Sequence, residues 1–75
     1  MITYEKALEV AKYHRSDITQ VCEYENGYVF SNPKDADYID GVHSPVVVLK
    51  EDGTTTNMAA FVYAGTGKEL GMRAI

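Results

Sequence analysis

The chain has no tryptophan, one cysteine, two prolines and two histidines among its 75 residues. Each shortage closes off something. A lone cysteine, Cys22, cannot form an internal disulfide, which removes the usual staple of small secreted folds. Two histidines, His14 and His43, stand apart from each other and from Cys22, so the ligand set of a structural zinc site is missing. No apolar run approaches the roughly 20 residues needed to cross a bilayer. The opening Met-Ile-Thr-Tyr-Glu-Lys places acid and polar groups where a signal peptide needs a basic region and an apolar run. A cytoplasmic protein with a reduced thiol is expected.

Clustered positive charge is lacking as well. The net charge is −4, and it is unevenly placed. Between Asp17 and Asp40 stand six acids (Asp17, Glu23, Glu25, Asp35, Asp37, Asp40) against one base, Lys34, while the remaining residues hold five acids and six bases. Phosphate contacts need grouped Lys and Arg, so nucleic acid is not an expected partner. A basic protein fits such a surface better, because complementary potentials speed and orient encounter.

What is present describes a small folded unit. Hydrophobic residues make up 45% of the chain, which argues against disorder. A chain this short buries only about 60% of the surface it exposes when unfolded, so a deep catalytic pocket would compete with the core for the same residues. One small α+β domain over residues 1–75, without an enzyme's site or cofactor, is the expected organisation.

Thr3 is a plausible helix N-cap, with Glu5 in the first turn where negative charge suits the helix dipole. Tyr4, Ala7, Leu8 and Ala11 recur at the spacing of one helical face, and His14 and Arg15 close the segment with positive charge. The pattern predicts a helix over Thr3–His14. From Ile18 to Tyr24 the residues alternate, Ile18, Gln20, Cys22 and Tyr24 against Thr19, Val21 and Glu23, as in a strand. Asn26-Gly27 is the preferred pair for a two-residue hairpin turn with positive φ at both positions, and Tyr28-Val29-Phe30 is the returning strand.

After a loop through Asp40, the stretch Gly41-Val-His-Ser-Pro45-Val-Val-Val-Leu49-Lys-Glu-Asp-Gly53 reads as a third, buried strand closed by an Asp-Gly turn. Thr54-Thr55-Thr56 begins a fourth. Beyond it, Met58, Phe61 and Val62 have helical spacing with Gly65 as a stop, yet the threonines and Phe61-Val62-Tyr63 suit a strand equally. The reading favours strand there, a turn at Gly65-Thr-Gly67, and either a short final strand or a loose end from Glu69. The expected fold is one N-terminal helix packed as a single layer on a mostly antiparallel four-stranded sheet.

Several patterns invite chemistry. Asp35-x-Asp37-x-x-Asp40-Gly41 resembles a calcium loop, but the sixth place, which needs glycine, is Asp40, and the twelfth, which needs Glu, is Val46. Gly65-Thr-Gly67-Lys68 resembles the end of a phosphate loop, but Val62 stands where its first glycine belongs and Glu69 where Ser or Thr should follow the lysine. A thiol and histidine pair would make a nucleophile, yet Cys22 within an alternating strand reads as a small buried hydrophobe. Tyr24, Tyr28 and Phe30 pack across the sheet or onto the helix, or else offer an exposed tyrosine surface to a partner.

One resemblance draws these residues together. A helix of the type Thr3-Tyr-Glu-Lys-Ala-Leu-Glu-Val-Ala11, then Gly27-Tyr28-Val29-Phe30, then Gly41-x-x-x-Pro45-Val-Val-Val with Asp52-Gly53 after it, resembles the small bacterial Immunity protein 35 domain over about residues 2–56. The chain departs from it in having Tyr28 where that family has a tryptophan, and from Asn57 onward nothing corresponds. The resemblance implies a non-catalytic α+β protein that binds and neutralises a partner toxin of the same bacterium. Carboxylates suit the blocking of a basic site. Asp35, Asp37, Tyr38 and Asp40 are the first candidates for partner contact, with Glu23 and Glu25 second; the carboxylates would steer and pair while Tyr38 supplies contact area. The alternative is a small homo-oligomeric domain associating through a sheet edge.

Overall fold

The computed structural model describes residues 1–34 and 45–75. In chain order the elements are α1 (Tyr4–His14), β1 (Gln20–Tyr24), β2 (Gly27–Ser31), β3 (Val46–Leu49), β4 (Thr55–Thr56), α2 (Met58–Ala64) and β5 (Glu69–Ala74). The strands form one antiparallel sheet in the order β4-β3-β2-β1-β5. The α+β class therefore agrees with the sequence reading, and the element count exceeds it by one strand and one helix.

Helix α1 begins where its cap residue puts it. The Thr3 side chain accepts a hydrogen bond from the Lys6 N–H at 3.2 Å, and Lys12 and His14 occupy the last turn. Ala7 and Ala11 are fully buried, and their small side chains let the helix lie close to the sheet. Beneath it Val21, Tyr28, Phe30 and Val48 form one cluster, joined by Ile18 and flanked by Tyr4 and Leu8. Tyr4 meets Tyr28 edge-on with ring centroids 5.5 Å apart, a favoured aromatic geometry.

Successive strand residues point to opposite faces, so the other face carries Cys22, Val29 and Val47. Phe61 of α2 packs there, with Tyr24, Leu49 and Met58 around it. The predicted single layer of helix on sheet is thus corrected: each face has a helix. The strand expected over residues 57–64 is likewise a helix. Asn57 caps it by accepting from the Ala60 N–H at 2.8 Å, and Gly65 ends it at φ 105 with its N–H on the Phe61 and Val62 carbonyls. Three alanines favour helix, and the turn places Met58 and Phe61 on the sheet while Val62 and Tyr63 face out.

Two further details differ from the sequence reading. β1 starts at Gln20, so Ile18 lies before it and packs under α1 rather than beside Cys22. In the hairpin, Glu23 pairs with Tyr28, which makes Glu25-Asn26 the two-residue loop and places Gly27 inside β2. Gly27 does not have positive φ. It is required for space: a Cβ there would lie 3.0 Å from the Val48 carbonyl oxygen and 3.1 Å from two Phe61 ring carbons. By contrast the Asp52-Gly53 turn forms as expected, with Gly53 at φ 78 and the Asp52 carboxylate accepting from the Thr54 N–H at 2.9 Å.

Candidate functional site

The six candidate contact residues fall into two groups. Asp35, Asp37, Tyr38 and Asp40 lie outside the described residues, as do His43 and the whole calcium-like pattern from Asp35 to Gly41. Their segment attaches to the sheet at the end where Phe30 of β2 pairs with Val46 of β3. The strand that precedes it is held there: Gln20 Nε2 donates to the Ser31 hydroxyl at 3.0 Å, and Asn32 Nδ2 to the Asp17 carbonyl at 2.6 Å. Glu23 and Glu25 belong to the opposite, hairpin-tip end.

Glu23 lies on the α1 face with its side chain 23% exposed. Lys50, just beyond β3, donates to its Oε2 at 2.7 Å, and an Arg73 guanidinium nitrogen on β5 stands 3.5 Å from its Oε1. Each cation is also seated on a ring, Lys50 Nζ at 4.9 Å from the Tyr28 centroid and Arg73 at 4.7 Å from that of Tyr4. The hydrogen bond from Lys50 holds the Glu23 carboxyl below the ordinary carboxylate range, against the opposing effect of its partial burial. One carboxylate therefore ties β1 to the end of β3 and to β5, with α1 and β2 supplying the rings.

Glu25 is held at the tip. Its Oε1 accepts the Lys68 N–H at 2.6 Å while its own N–H bonds the Lys68 carbonyl at 3.0 Å. Asn26 adds a backbone bond to Thr66 at 3.1 Å and a side-chain bond to the Gly65 carbonyl at 2.9 Å, and its carbonyl accepts the Lys50 N–H. Gly67 fits against Glu25 so closely that an added Cβ would lie 2.7 Å from the Glu25 Cβ. The loop that resembled a phosphate motif thus has its Lys68 amide committed to a carboxylate. An open groove of about 540 Å³ runs beside this clasp, bordered by Met1, Leu49, Lys50 and Gly65.

On the other face, Cys22, Tyr24 and Glu69 are neighbours. Burial raises the Cys22 thiol above its ordinary value, and the Glu69 carboxylate adds to the effect. The Tyr24 phenol is raised by its hydrogen bond with Cys22 and by burial. An activated thiolate needs the reverse shift and a cationic neighbour. Here the neighbour is acidic, and His14 sits at the end of α1 with its ring edge-on to Tyr13 at 5.4 Å. Among the described residues no group of three His, Cys, Asp or Glu side chains is placed to hold a metal ion, and no helix is long and apolar enough to cross a membrane.

Lys50 and Arg73 supply the cations around Glu23, and the Lys68 backbone N–H holds Glu25; the sequence pattern did not single these residues out. Their partners are distant in sequence, Glu23 from Lys50 and Arg73 and Glu25 from Lys68, so no local spacing marks the pairs. No family model, curated protein or solved structure matches the chain.

Proposed function

We propose that this chain is a non-catalytic protein-binding module of the immunity type, which binds and neutralises a partner toxin through the acidic segment containing Asp35, Asp37, Tyr38 and Asp40. The resemblance of residues 2–56 to the Immunity protein 35 domain suggests the class. The observation that carries the choice of surface is the fate of the acids between Asp17 and Asp40. Arg15 lies on the Asp17 carboxylate at 2.6 Å, Lys50 and Arg73 lie on Glu23, and the Lys68 amide lies on Glu25. Those three serve the scaffold. To the remaining acids of that third, Asp35, Asp37 and Asp40, which lie outside the described residues, we assign the steering of a basic partner, with Glu23 and Glu25 as supports.

The test is capture of a partner from the source bacterium, followed by association kinetics at several salt concentrations. Combined Asp35→Asn, Asp37→Asn and Asp40→Asn substitutions should slow association severalfold and flatten its salt dependence, since steering acts through long-range charge. Unchanged kinetics in that triple variant contradict the assignment.

A second reading, self-association through a sheet edge, has one observation in its favour. Leu70 and Met72 on the outermost strand β5 are 53% and 62% exposed. Sedimentation of the wild-type chain decides it: a dimer dissolved by Met72→Asp supports the reading, and a monomer at all concentrations removes it.

A further inference from the structure

We propose that β5 is a releasable strap, which opens from β1 as a unit while the rest of the sheet and both helices remain folded. The inference goes beyond the partner-binding reading and does not depend on it. Apart from Gly71, every residue from Glu69 to Ala74 is exposed, and none lies in either buried cluster. Its neighbour β1, in contrast, gives Val21 to one cluster and Cys22 to the other. Opening β5 forfeits ladder hydrogen bonds and the covered parts of Leu70 and Met72 but withdraws no residue of either buried cluster, and burial is what binds an element into the cooperative unit.

The ladder itself is interrupted. Pairing with β1 runs in register from Gln20–Ala74 to Glu23–Gly71 and then shifts, with Tyr24 opposite Glu69 and Gly71 at φ 143. Such a bulge leaves a residue unpaired and weakens the local ladder. At one end the strap is hinged on the 65–68 loop, which Glu25 and Asn26 pin to the hairpin tip. Along its length Arg73 fastens it to the α1 face through Glu23 and the face of Tyr4, and Glu69 meets Cys22 and Tyr24 on the other face. Opening would uncover the pairing edge of β1, a template to which an extended strand can add.

Hydrogen exchange of the folded full-length chain tests the proposal. The amides of β5 should exchange as one group at least tenfold faster than those of β2 and β3. Val47→Ala, which weakens the part that stays folded, should speed the β2 and β3 amides tenfold or more and leave the β5 group within twofold. Arg73→Met should speed both groups by one common factor, because its contacts are lost in strap opening and in global unfolding alike. Low urea makes the same separation without mutation: a shallow dependence for β5 and a steep one for β2 and β3, in proportion to the surface exposed. The proposal is overturned if Val47→Ala speeds both groups equally, if β5 is as slow and as urea-sensitive as β2 and β3, or if its amides exchange independently of one another.

Discussion

On the face under α1, an eleven-residue helix buries two alanines against an aromatic and aliphatic cluster, and the ionic network of Glu23, Lys50 and Arg73 spans its flank. On the opposite face a seven-residue helix is attached by one fully buried side chain, Phe61, resting on the bare backbone of Gly27. The difference teaches how a short chain divides its apolar residues. One face distributes its packing over many contacts, whereas the other concentrates it in a single ring, which Tyr24 of β1 meets edge-on at 5.7 Å and beside which Cys22 lies.

The sheet between the two layers is the part that tolerates least. Val47 is fully buried on the α2 face and Val48 on the α1 face. Val47→Asp places an uncompensated charge in the core and should unfold the protein outright, seen as loss of sheet and helix signal in circular dichroism. Next in size, Phe61→Ala should cost about 3 to 5 kcal/mol and detach α2, while Leu8→Ala on the better-distributed face should cost less and leave α1 in place. Urea titrations showing equal losses for the two would erase the contrast between the faces.

Gly27→Ala is a sharper and smaller probe, at about 1 to 3 kcal/mol for overpacking. Because the added methyl meets the Phe61 ring, the loss should be partly recovered in a Gly27→Ala, Phe61→Leu double variant. Strict additivity would show that the glycine is not there to admit the ring.

The smallest expected effect lies on the α1 flank. The folded-state pKa of Glu23 is lowered from its ordinary 4.5, first by the Lys50 hydrogen bond. A depressed carboxyl contributes stability that is fully present above its unfolded pKa and is lost as pH falls through the folded one. Urea midpoints should therefore fall with acid below about pH 4.5 more steeply in the wild type than in Glu23→Gln. Identical profiles would mean that the network orders the flank without stabilising it.

The α1 face was largely legible in the sequence, because a capped helix with a 3.6-residue apolar stripe is a local pattern: Thr3, Tyr4, Ala7, Leu8 and Ala11 all take the places that their spacing predicts. The α2 face was not. Its cap, Asn57, follows three threonines that suit a strand, and Phe61 could serve either element until the sheet beneath it is known. Gly27 reads in the sequence as a turn glycine and is in the fold a close-approach glycine, two roles that look alike in a single sequence. Glu23 and Glu25 read from the sequence as part of the acidic third, but the Lys50 and Arg73 cations on Glu23 and the Lys68 backbone N–H on Glu25 are pairings that only the fold creates.

That separation between scaffold and contact surface is tested most directly by measuring partner capture and urea midpoint together for Asp37→Asn and Val47→Asp. Asp37→Asn is expected to keep the wild-type stability within about 0.5 kcal/mol while capturing less partner. Val47→Asp is expected to lose both. Undiminished capture by Asp37→Asn, with loss confined to Val47→Asp, would contradict the assignment and leave the activity with the scaffold itself.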